Sequence, residues 1–151
     1  MKIPLTGGCV CGAIRYECTA EPIMTFKCHC RDCQKVTGGA FAPGFLVPAS
    51  AFHLTKGQLR YHFTLSAKGG KHRRGFCVEC SSRITGGESD REPSKFVGIL
   101  AGSLDDPSWF KPELDFFCIG RAAVGPNGPG NSEVPASSAA SRERVKHAPT
   151  F

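Results

Sequence analysis

Apolar and polar positions alternate with period two over much of the first 120 residues. Leu59, Tyr61, Phe63 and Leu65 occupy every second position, which sets four apolar side chains on one face of an extended chain. Ala13 to Cys18 alternates in the same way and reads as a strand. Phe41 to Val47 is a short apolar run in which Pro43 and Gly44 predict a bulge or an edge position. Arg74-Gly75-Phe76 leads into a cysteine pair, Phe96 to Ala101 reads as a buried strand, and Leu114 to Ile119 as another. Only Arg31 to Thr37 predicts a helix, about two turns at most. Short strands punctuated by Gly and Pro predict a mainly β domain of small antiparallel sheets.

The pattern stops near residue 120. From Gly120 onward the composition shifts to Gly, Pro, Ser, Ala and Asn, and Val124 to Ser141 has no periodic apolar positions. Such a segment cannot bury enough surface to offset its chain entropy. The reading is one domain over 1–119 and a disordered tail over 120–151, which suits a chain of 151 residues. No solenoid-type repeat is present. No stretch approaches the ~20 apolar residues of a membrane span. The opening Met-Lys-Ile-Pro-Leu-Thr-Gly-Gly lacks the apolar run of a signal peptide, so a cytoplasmic protein is expected, without membrane association.

Hydrophobic residues make up 40% and charged residues 21%, ordinary values for a folded soluble chain. The net charge of +6 raises the question of nucleic acid. Lys68, Lys71, His72, Arg73 and Arg74 form the densest basic cluster, but aromatic residues do not alternate with them as in a stacking platform. A solvated strand end, or a site for a small anionic substrate, is the better reading. Arg142, Arg144 and Lys146 lie in the tail and say little about the domain.

The cysteines change the picture. There are nine, an odd number, in a chain expected in a reducing compartment where disulfides are rare. Seven fall in three clusters: Cys9-Val10-Cys11, Cys28-His29-Cys30-Arg31-Asp32-Cys33 and Cys77-Val78-Glu79-Cys80. Close spacing lets one tight turn aim two sulfurs at one ion. A structural zinc takes four ligands in a tetrahedron and so combines two such pairs, whereas a catalytic zinc keeps a position open. Spacing alone leaves the pairing undecided: Cys77 and Cys80 can join Cys9 and Cys11, or Cys28 and Cys30. Cys18 and Cys118 sit in apolar strand patterns and read as buried packing thiols.

Three blocks resemble the glutathione-dependent formaldehyde-activating enzyme family, which includes centromere protein V. They are Gly7 to Tyr16, Cys28 to Gly38 followed by Ala40-Phe41, and Arg74 to Ile84; Ala101 to Pro107 adds a weaker fourth. The resemblance implies a mainly β zinc fold with two zinc ions per chain. It implies a structural zinc on Cys9, Cys11, Cys77 and Cys80. It implies a second zinc on Cys28, Cys30 and Cys33, open to the sulfur of glutathione as co-substrate. The activity implied is a reversible carbon–sulfur lyase step of the S-(hydroxymethyl)glutathione synthase type, on formaldehyde or a related small aldehyde. The rival reading is a zinc-stapled binding module, with His29, Asp32 or Cys18 completing the second site. Redox sensing by the Cys28 to Cys33 cluster is a third. His29 lies between two ligands, so its ring should point away from a shared ion, toward a neighbouring group or the surface. Lys35, Thr37, Arg73 and Arg74 are candidate contacts for glutathione carboxylates. His53 and His62 fall in strand-like segments and read as structural.

Two departures from the family pattern stand out. Ser81 occupies the position after the last ligand, where the family usually has Gly; a turn with positive φ is expected there, adopted by Ser at some cost. The tail lacks the family's usual Pro-Trp, acidic and Pro-x-Phe ending. The codons that can specify Val124 to Val134 permit, one base later, Trp-Asp-Gln-Met-Asp-Pro-Glu-Ile-Pro-Lys-Phe. A frameshift near Ile119 is therefore expected to have replaced the native C-terminus. Sequencing the gene should find that peptide in the +1 frame; a frame that cannot encode it ends the idea.

Overall fold

The computed structural model describes residues 1–65, 70–89 and 94–120. Lys68 and the tail from residue 121 lie outside them. Among the described residues two sheets form. The smaller has the order β1-β2-β5, from Leu5–Gly8, Arg15–Cys18 and Phe52–Lys56. The larger has seven strands in the order β10-β3-β4-β9-β8-β7-β6. These are β3 (Met24–Cys28), β4 (Ala42–Pro48), β6 (Arg60–Leu65), β7 (Lys71–Phe76), β8 (Arg83–Ser89), β9 (Phe96–Leu100) and β10 (Leu114–Phe116). The mainly β, antiparallel reading holds for every pair but one: β10 runs parallel to β3.

One apolar core draws on both sheets. Tyr16 and Cys18 of β2 meet Phe45 and Val47 of β4, Ile84 of β8 and Ile99 of β9, all essentially without exposure. Each large side chain so buried contributes about 1.5–3 kcal/mol. The period-two pattern of 13–18 thus places its even positions inward, although pairing begins only at Arg15.

The predicted helix α1 spans Arg31–Thr37 as expected. Its start is unusual: the Cys30 sulfur serves as N-cap, accepting the Cys33 N–H at 3.4 Å. Its end is a left-handed Gly38, whose N–H bonds the Gln34 carbonyl at 2.9 Å.

Three strand expectations are corrected. The Pro43-Gly44 segment is neither bulge nor edge; β4 is central, paired with β3 and β9. Pro43 lies one position beyond the β9 ladder, so on that side its missing N–H removes nothing. Gly44 answers a close approach: a Cβ there would stand 2.9 Å from the Phe26 ring and from the Ile99 carbonyl. The Leu59–Leu65 stripe is buried only at Leu59; Tyr61, Phe63 and Leu65 are 40%, 45% and 76% exposed, because β6 is the sheet edge. The last strand stops at Phe116, where Phe117 turns left-handed with φ 58° and a 3₁₀ turn follows. Cys118 is accordingly half-buried in that turn, with its Sγ 3.5 Å from the Asp115 carbonyl, and is not a core thiol.

A polar clamp joins the turn after β9 to the small sheet. Asp105 accepts from Arg15 through both carboxylate oxygens and from Thr6 Oγ1 at 2.7 Å, while its own N–H bonds the Thr6 carbonyl at 3.0 Å. The Arg15 hydrogen bond, then Thr6, hold the Asp105 carboxyl below its ordinary value. A carboxyl with a depressed folded pKa stabilises above the unfolded value, about 3.9, and loses that contribution as pH falls through the folded pKa. Asp105→Asn should therefore melt below wild type at pH 7, with the gap closing below about pH 4 when the two melting curves are compared across pH.

Candidate metal centres

Two tight turns build the first cluster. The β1–β2 turn folds back so that Gly12 N–H bonds the Cys9 carbonyl at 3.0 Å and Ile14 N–H reaches the Cys9 sulfur at 3.1 Å. The β7–β8 turn does the same with Ser81 N–H on the Cys77 carbonyl at 2.8 Å. Ser82 ties the two together: its Oγ accepts Val10 N–H at 3.2 Å and lies 3.2 Å from the Cys80 sulfur. The sulfurs of Cys9, Cys11, Cys77 and Cys80 all fall within 4.8 Å of one another, with Cys9–Cys11 at 3.4 Å and Cys11–Cys77 at 3.8 Å. Thiolates bound to a tetrahedral ion at ~2.3 Å stand about 3.8 Å apart, so this donor set fits one. The Ser82 hydroxyl and backbone lower the Cys80 thiol to about 6. Cys11 gains from the Ala13 N–H but is pushed up to about 12 by the Cys9 and Cys80 sulfurs. Four crowded thiols cannot all ionise without a cation among them.

The second cluster is carried by β3 and α1. Cys28 ends the strand, Cys30 caps the helix and Cys33 lies in its first turn. Their three sulfurs also fall within 4.8 Å of one another, and among the described residues no fourth His, Cys, Asp or Glu donor joins them. Cys18 is instead part of the core, where burial raises its thiol to about 12. His29 is turned away, as its position between two cysteines implied, but it is not at the surface. The residue is 3% exposed, with its ring Nε2 2.7 Å from Asp115 Oδ1, and its backbone N–H donates to the Phe116 carbonyl at 2.9 Å. Lys27 Nζ approaches the same carboxylate oxygen at 3.4 Å. The loop carrying the cysteines is thereby fastened to β10.

The environment separates the three thiols. Cys33 is lowered to about 6, by Cys28 first and then by Cys30 and the Arg74 guanidinium, against burial. Cys28 is raised, by Cys33 and then burial, and Cys30 is raised by burial.

The candidate glutathione contacts are scattered. Lys35 is exposed in the last turn of α1. Thr37 donates its hydroxyl to the Cys33 carbonyl at 2.8 Å. Arg73 stacks 4.7 Å above the Tyr61 ring, on the face of β7 opposite Arg74. His53 and His62 are exposed on β5 and β6. The residue a pattern reading misses is Asp115, which holds His29; Arg74, named as a candidate glutathione contact, is buried and donates to Thr64 Oγ1 at 2.9 Å. Asp115 has no local signature; it meets His29 through the pairing of β10 with β3, 86 residues away in sequence.

Residues 4–120 match the family model of the glutathione-dependent formaldehyde-activating enzyme, more than three quarters of the chain. The chain belongs to that family. It is also similar in fold to a crystal structure of a Rhodobacter sphaeroides protein from structural genomics. That likeness has a TM-score of 0.53 at 18% identity, covering 74% of this chain and 98% of the other. The match to the formaldehyde-activating enzymes ends where the described structure ends. Both cysteine clusters could hold metal ions, and no helix among the described residues is long and apolar enough to cross a membrane.

Ser81, where this family usually has Gly, adopts φ 60° as expected. A left-handed conformation costs an L-residue about 1–2 kcal/mol, part of which Gly returns as unfolded-state entropy. Ser81→Gly should raise stability by about 1 kcal/mol, read as a higher melting temperature at unchanged metal content.

Proposed function

We propose that this chain adds the thiol of glutathione to formaldehyde, or a related small aldehyde, and catalyses the reverse carbon–sulfur cleavage. In the forward direction a C–S bond forms, the carbonyl π bond opens, and the thiol proton ends on the former carbonyl oxygen, giving S-(hydroxymethyl)glutathione. Zinc is the ion that best suits seven thiol donors in two compact groups. Cys9, Cys11, Cys77 and Cys80 would hold one ion in a closed shell. Cys28, Cys30 and Cys33 would hold the other.

The observation that carries this reading is that, among the described residues, the second cluster has three donors and no fourth. A closed site staples a fold; a site with three protein ligands leaves a place for substrate. Zinc bound there supplies one thing: it keeps a thiol sulfur deprotonated at neutral pH. The chain's own residues do the rest. The helix cap fixes Cys30 and Cys33 relative to each other, and His29 with Asp115 anchors the backbone between Cys28 and Cys30. Lys35, exposed two residues beyond Cys33, offers an ammonium to a carboxylate of the tripeptide. Nine free thiols suit a reducing interior, and we place the protein in the cytoplasm.

Metal analysis combined with glutathione binding tests the proposal. Protein purified under reducing conditions should carry two zinc ions, and its cobalt form should change spectrum on adding glutathione. Cys30→Ser should keep one ion, stay folded, and lose both the spectral change and adduct formation from glutathione and formaldehyde. Two ions with no glutathione-dependent change would leave a stapled binding module and overturn the enzyme.

A further inference from the structure

Arg31 opens α1 directly after the Cys30 cap, and a buried neighbour holds its exposed side chain. Its Nη1 donates to Oε1 of Gln34, three residues on. Gln34 is 5% exposed, and its Nε2 donates to the Ala40 carbonyl at 3.0 Å. A carbonyl only accepts, so the amide nitrogen faces Ala40 and the amide oxygen faces Arg31. Helical side chains lean back over the preceding turn, which for Gln34 carries Cys30 and Arg31. The bond therefore draws the guanidinium to the side of α1 that Gln34 shares with Cys30. One bond to a neutral amide leaves most of the Arg31 donors to spare.

Arg31 and Lys35 are both exposed and stand one turn apart on the helix that, with its cap, supplies two of the three sulfurs. Like charges at that spacing disfavour a helix. Asp32 is the one carboxylate of α1, and among the described residues neither cation forms an ion pair with it or with another acid. Three thiolates around one divalent ion leave a net negative charge, which repels an anionic ligand unless cations stand by. We propose that Arg31, steadied by Gln34, is a carboxylate contact of the three-cysteine site and selects thiols that bear a carboxylate. It is a specificity-determining residue and touches no reacting atom. The role rests on the open-site reading above and deepens it by assigning thiol selectivity to α1. Lys35 brings a point charge on a flexible stem, whereas the guanidinium offers a planar fork that matches both oxygens of a carboxylate. Thr37, at the far end of the helix, has its hydroxyl committed to the Cys33 carbonyl at 2.8 Å.

The test uses the full chain loaded with cobalt, comparing wild type, Arg31→Gln and Arg31→Lys at equal metal content. Thiols are titrated against the cobalt spectrum, beginning with glutathione and with 2-mercaptoethanol, which has no carboxylate. Arg31→Gln should bind glutathione about tenfold more weakly, and 2-mercaptoethanol within about twofold of wild type. Arg31→Lys, which keeps the charge without the fork, should lose less. Two analogues identify the carboxylate held: glutathione monoethyl ester, blocked at the glycyl end, and cysteinylglycine, which lacks the glutamyl end. One of them should bind wild type and Arg31→Gln alike. Unchanged glutathione affinity in Arg31→Gln overturns the contact. So do equal losses for glutathione and 2-mercaptoethanol, or a loss that persists with both analogues, which is a diffuse effect of charge. Each of those outcomes leaves the open-site function standing, because wild type still responds to glutathione. A wild type that responds to no thiol overturns both.

Discussion

The convergence of four sulfurs from two turns is the constraint on which the rest of the fold depends. Cys11 and Cys77 are separated by 66 residues in sequence and 3.8 Å in space. The β1–β2 turn belongs to the small sheet and the β7–β8 turn to the large one, so their junction fixes one sheet against the other. Closing a long loop costs chain entropy that a modest core must offset. With an ion bound, the junction adds on the order of 10 kcal/mol of apparent binding energy, comparable to the whole stability of a typical domain. The core and the clamp of Asp105 on Arg15 and Thr6 then refine an arrangement that the sulfurs have already selected.

The two cysteine clusters share a chemistry and differ in what surrounds it. At the first, both partners of the junction are turns, Ser82 bridges them, and four donors close the shell. At the second, a strand end, a helix cap and the first turn of α1 supply three donors. The first environment is built to hold. The second is fastened to β10 instead, through His29.

Much of this was legible in the sequence because it is local. The helix over 31–37 and the three cysteine clusters follow from spacing within a few residues, while the left-handed Ser81 was implied by the family resemblance. The family resemblance named the four that converge. What escaped is non-local. A single chain does not say that β10 returns parallel beside β3, so it cannot say that Asp115 waits for His29. Nor does alternation along 59–65 reveal that β6 stands at the margin of the sheet, where the same stripe is left largely bare. Arg73 and Arg74 look alike in sequence; only the register of β6 against β7 separates the one stacked on Tyr61 from the buried one bonded to Thr64.

The attachment of His29 to β10 gives the second cluster an anchor that the first does not use. The loop bearing Cys28, Cys30 and Cys33 is buckled through a side chain and a backbone bond to three residues near the end of the matched region. A chain cut short before Leu114 would unbuckle that loop and leave the four-sulfur junction whole. Damage to the C-terminus would thus reach the three-cysteine loop first, and an intact scaffold would be no warranty of an intact second cluster.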